Sequence, residues 1–127
     1  MAFTTYLQHK VLDYVLGTTA YTAPTTVYIG LFTTATGIGG TGTEVSGGGY
    51  ARKAMTFDSA ASGTADNASI VEFDEATSSW GTVTHTAVFD ALTVGNMLME
   101  DELATSKTIA SGDIFRFQAG DFDVTLT

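Results

Sequence analysis

After Pro24 the sequence alternates at period two and holds that period to its end, which restricts the fold more than any other feature. In TTVYIGLFT (25–33), Val27, Ile29 and Leu31 fall on one side of an extended chain and Tyr28 and Phe32 on the other. YARKAMTF (50–57), ASIVEF (68–73), WGTVTHTAVFD (80–90), NMLMEDEL (96–103), DIFRFQA (113–119) and FDVTLT (122–127) follow. Each is rich in β-branched or aromatic residues and is bounded by Gly, Ser, Asn or Asp. About seven strands at this spacing predict a sandwich or barrel. Only one helical pattern accompanies them, so repeated strand–helix–strand crossovers have no helices to use. The expected fold is therefore mainly β, an antiparallel β-sandwich with one short N-terminal helix. TVGN (93–96) reads as one tight hairpin and AGD (119–121) as another.

The helix is expected over about 4–17. Leu7, Val11, Tyr14 and Val15 share a face, Thr5 and Gln8 have the spacing of a capping box, and Gly17 suits a left-handed stop. So short a helix must pack on a sheet or on a neighbouring subunit. The whole chain, 127 residues, suits a single domain (1–127). Fourteen acids against five bases give a net charge of −9. Such a surface repels phosphate backbones and anionic lipid, which speaks against nucleic-acid or membrane partners. Without cysteine there is no disulfide, zinc–thiolate site or thiol nucleophile. The first residues lack a basic, apolar leader, so the expectation is a soluble protein made in the cytoplasm with no export signal.

Gly37, Gly39 and Gly42 match G-x-G-x-x-G, with Asp58 at a distance that ribose binding would need. The fingerprint works only where the last glycine opens a helix whose amides hold pyrophosphate. Here TEVSGGGYARK leads into another strand, so no nucleotide or other cofactor is expected. The stretch 33–49 reads instead as a Gly/Thr-rich arm that flexes or gains order on another chain, with Glu44 and Val45 as a short extended contact in a neighbour's groove. Glu100, Asp101 and Glu102 form an acid cluster at a strand end, with Glu72, Asp74 and Glu75 as a second. Their ordinary role is solvated turns, and no calcium loop of the D-x-[DN]-x-[DN]-G kind is present. No catalytic residue or metal site is assigned: His9 and His85 stand without partners in sequence, and Trp80 reads as a packing residue.

The ordered phrases GTEVSGGGYAR, SWGTVTHTAVFD, GNMLMEDELATSKTIASGD and FQAGDFDVTLT resemble a family of small tailed-phage virion proteins. Its members are described as phage tail fibre proteins and, in some cases, as capsid cement or decoration proteins. The likeness spans about Thr5 to Leu126. It implies a non-enzymatic structural protein of the virion with a jelly-roll-like β core, acting as an oligomer, with a homotrimer expected. The partners implied are the major capsid protein or other virion proteins. Head decoration is the expected role and a fibre, tail or baseplate part that binds receptor or glycan the alternative. Candidate interaction residues are Glu44 and Val45, the helix residues Leu7 and Val11, and the acids Glu100, Asp101 and Glu102.

Overall fold

A computed structural model describes residues 1–126. Among the described residues one helix and nine strands, all antiparallel where they pair, confirm the mainly β reading. The strands are β1 (Ala2–Phe3), β2 (Val27–Phe32), β3 (Lys53–Met55), β4 (Thr64–Asp66), β5 (Val71–Glu72), β6 (Gly81–Phe89), β7 (Met97–Ile109), β8 (Arg116–Phe117) and β9 (Asp123–Thr125). Five of them form one sheet in the order β1-β7-β6-β2-β3. The others pair as β4-β9 and β5-β8.

Period two in β2 places Ile29 and Leu31 on the face of the large sheet that Val88 shares, and the irregularity between Val83 and His85 brings Val83 into the same core; all four are fully buried. This face meets a layer of aromatics. Phe73 packs edge-on against Trp80 and Phe115, Phe115 meets Phe117 at a centroid distance of 5.0 Å, and Phe117 meets Phe122 at 5.7 Å. Two apolar layers packed in this way give the sandwich-like arrangement its core. The opposite face of the same sheet buries a smaller cluster, Phe32, Ala87, Phe89 and Met97.

Helix α1 (Thr5–Val15) lies within the expected span of about 4–17, and its cap, in place of the expected Thr5, is Thr4. Its Oγ1 accepts from the Leu7 amide and donates to the Met97 carbonyl at 2.6 Å, so the cap also fastens the helix to β7. Leu7 is buried and Val11 is packed against the core, but Tyr14 and Val15 are exposed. The expected helix face is thus half right: only its first part rests on the sheet.

The 119–121 turn does not join a hairpin, since β8 and β9 pair with different strands. Asn67 explains the departure. Its backbone carbonyl accepts from Gly120, its Oδ1 accepts from Phe122, and its Nδ2 donates to Gln118, so the turn closes around this buried amide. Strand β7 also runs beyond 103, with four residues, Leu103 to Ser106, set against Thr84 alone. That bulge lets Leu103 pack against the core.

Candidate assembly surface

The expected arm is ordered on its own chain. Thr33 and Thr43 close its base at 3.0 Å, the Thr5 amide donates to Ile38 at 2.7 Å, and Thr36 donates to the Glu100 carboxylate at 2.8 Å. Ile38, Gly39 and Gly40 line a cavity of about 270 Å³ with Phe89 and Met97, which sets the loop beside the second apolar cluster. Glu44 forms an isolated bridge with Phe32, and the Val45 amide donates to Leu31. Val45 is buried in the main core. In this fold Glu44 and Val45 return the arm to the sheet.

Glu44 instead belongs to a clamp. Arg52, only 8% exposed, donates Nε and Nη2 to the two Glu44 oxygens at 2.8 and 2.9 Å, and its guanidinium lies 3.4 Å from the Phe89 ring centroid. Tyr50 donates to Glu44 Oε1 at 2.7 Å and accepts from the Leu31 amide at 3.0 Å. Burial, with the Glu44 carboxylate adding to it, pushes the Tyr50 hydroxyl well up, so the phenol stays a donor. Gly30 makes the space: a Cβ there would stand 2.9 Å from Glu44 Oε1. Gly48, at φ +59°, lets its carbonyl accept from Trp80 Nε1 at 2.8 Å where a side chain would strike the indole. The phrase GTEVSGGGYAR is therefore a recipe for a partly buried, bidentate ion pair and the indole contact beside it.

The clamp holds a loop. Arg52 Nη1 donates to both Ala91 and Val94 carbonyls, at 2.9 and 2.8 Å. Asp90 accepts from the Asn96 amide and side chain, at 2.7 and 2.9 Å. Between them Val94 and Gly95 take successive positive φ angles, 55° and 67°, as the centre of the β6–β7 turn. Asn-Gly is the usual occupant of such a pair, and a β-branched residue there is strained. Yet Val94 is 85% exposed and Leu92 beside it 49%. The sequence gives TVGN as a turn; its strain and its anchor are visible only in three dimensions.

The other candidate residues are scattered. Leu7 is spent on the core, and Val11 lies against it. Glu100, Asp101 and Glu102 lie within β7, opposite Ala87, Thr86 and His85, and not at a strand end. Asp101 and Glu102 are exposed, whereas Glu100 holds the arm through Thr36. His9 and His85 sit on different elements, α1 and β6, and His85 Nδ1 is 2.8 Å from Thr84 Oγ1. Trp80 is buried among aromatics, as the packing reading has it. Among the described residues no group of three or more His, Cys, Asp or Glu converges as a metal site would require.

One acidic pair has a measurable consequence. Asp66 and Asp123 stand directly opposite each other in β4 and β9, with Asp58 nearby, and Asp66 Oδ1 is shielded and unpartnered when both are ionised. A shared proton would bond the two, and that hydrogen bond, then desolvation, then the charges of Asp123 and Asp58 raise the Asp66 pKa. The folded state thus holds its proton more tightly than the unfolded one. The stability this contributes is complete below the ordinary carboxyl value of 3.8 and is lost as pH rises through the raised one. Asp123→Asn is expected to melt above the parent at about pH 7 and to converge with it below about pH 4, in thermal scans followed by circular dichroism.

The polar side chains of arm, clamp and turn hold the chain's own loops and strands within a mainly β fold. The sequence model of the Podophage GP4 fiber I protein gp80 family matches residues 2–125, and the chain belongs to that family. It is thereby a member of a family of phage virion structural proteins. No curated protein matches the chain.

Proposed function

We propose that the chain is a globular, non-enzymatic part of a phage fibre, joined to the particle by protein–protein contacts. The observation behind this reading is the fibre-family match across residues 2–125. The fold agrees with it, because the partly buried Glu44–Arg52–Tyr50 network is spent on ordering the chain's own loops. A second reading, capsid cement on the head, has its own support. The chain is a small packed domain without heptad or fibrous repeat, a shape suited to bridging capsomers. In that reading the major capsid protein is the partner and the subunits act as homotrimers. Quantitative mass spectrometry of purified virions separates the two. The fibre reading expects on the order of a dozen to some tens of copies at the tail; hundreds of copies spread over the head would overturn it in favour of cement.

A further inference from the structure

We propose that strand β9 is an acid-closed latch: a proton shared between Asp66 and Asp123 holds it on β4, and ionisation of both carboxyls lets it open while the rest of the domain stays folded. The chain is fixed just before this strand. Phe122 is buried, its amide donates to Asn67 Oδ1 at 2.8 Å, and its carbonyl accepts from the Asn67 amide at 3.2 Å. Beyond that anchor the hold is slight. Strand β9 pairs with β4 alone, over three residues, and the two form a separate two-stranded sheet. Beside this ladder stand Val124 against the core, the Thr64 and Thr125 hydroxyls 3.4 Å apart, and the Leu126 amide donating to the Gly63 carbonyl at 2.9 Å. So short a ribbon is marginal by itself, and one cross-strand pair can decide whether it stays closed.

That pair is of like charge. Asp66 and Asp123 stand directly opposite each other, on the face where Thr64 meets Thr125, while Val124 turns the other way into the core. Asp58 is held beside them, its amide donating to the Asp66 carbonyl at 2.9 Å. Asp121, two residues before Asp123, is spent on the Gln118 amide, which its Oδ2 accepts at 2.9 Å. Among the described residues no Lys, Arg or His stands within ion-pair distance of Asp58, Asp66 or Asp123. The paired cations, the N-terminal ammonium, Arg52, Lys53 and Arg116, go to Asp101, Glu44, Asp74 and Glu72. Asp66 Oδ1 is shielded and without a hydrogen-bond partner. The side chain opposite it can supply a donor only as a carboxylic acid.

Opening separates the two carboxyls and gives both to water, so the shared proton is bound more tightly in the closed strand than in the open one. Closure is therefore favoured in acid and weakened as pH rises through the raised Asp66 value. The change is local, because the Asn67–Phe122 anchor consists of amide and carbonyl groups that do not titrate. An open β9 bares Val124 and the edge of β4 and leaves the large sheet and the aromatic layer in place. The latch is thus a property of one strand, distinct from the melting of the whole domain.

The test is amide hydrogen exchange of the full chain, followed by NMR from about pH 4 to about pH 7, with each rate corrected for its intrinsic pH dependence. Protection of the Leu126 amide is expected to fall about two- to fivefold across this range while that of the Phe122 amide holds. Asp123→Asn and Asp66→Asn should each keep Leu126 protected throughout, since an amide can donate to the remaining carboxylate. Asp58→Asn is the sharper variant. It keeps the pair and removes a charge that favours the proton, so the transition should persist and move to lower pH. A parent whose Leu126 protection does not change with pH, or pair variants that retain its pH dependence, would overturn the latch. Equal losses at Leu126 and Phe122 would overturn it too, by showing that the domain loosens as a whole.

Discussion

Arg52→Ala is expected to lower the unfolding free energy by about 3–5 kcal/mol, read from urea denaturation of the purified protein. Arg52 donates four hydrogen bonds, two to Glu44 and two to loop carbonyls, and covers the face of Phe89. The cation–π contact alone accounts for about 0.5–2 kcal/mol. The larger share comes from what is left behind: a partly buried Glu44 carboxylate with Tyr50 as its remaining donor, and two loop carbonyls without a partner. Arg52→Lys should recover little, since a single ammonium cannot fork to both Glu44 oxygens and reach the loop. Replacing both charges, as in Arg52→Met with Glu44→Leu, should be milder than Arg52→Ala, because no unpaired ion remains. A loss under about 1 kcal/mol for Arg52→Ala would mean that the clamp contributes no more than an exposed ion pair.

The same residues show what a sequence discloses and what it withholds. Strands β2 and β6 were legible as strands because the large sheet buries a cluster on each face, so that Val27–Phe32 is an almost continuous run of apolar, β-branched and aromatic residues. Strand β4, Thr64–Asp66, escaped notice since TAD has neither β-branched run nor apolar alternation; its place is set by pairing with β9. Asn67 was likewise silent, although it closes a turn more than fifty positions away. The glycine-rich phrase was legible as important and misread in kind. Its small residues suggested freedom, whereas Gly48 creates a close approach that fixes the indole, as Gly30 in β2 does for the clamp. Composition reports that a side chain is absent; only the fold reports what fills the space. Glu44 and Arg52 are eight residues apart across three glycines, and no local rule couples them.

Phe73→Ala is expected to cost about 3–5 kcal/mol, a loss comparable with that of the clamp but of different origin. Phe73 is 1% exposed, stacks on Tyr50 at 6.1 Å, and meets Trp80 and Phe115 edge-on at 6.4 and 5.9 Å. Truncation removes the transfer free energy of the ring and leaves a cavity bounded by three other rings, each already fixed by neighbours. Phe73→Leu, which fills part of that cavity, should cost roughly half as much. The Tyr50 ring links the two sites, since one of its ends rests on Phe73 while its hydroxyl serves Glu44. Combining Phe73→Ala with Arg52→Ala should therefore cost less than the two single losses added, by about 0.5–3 kcal/mol. Strict additivity would show that the aromatic layer and the clamp are stabilised independently, and that Tyr50 transmits nothing between the core and the loop that presents Val94.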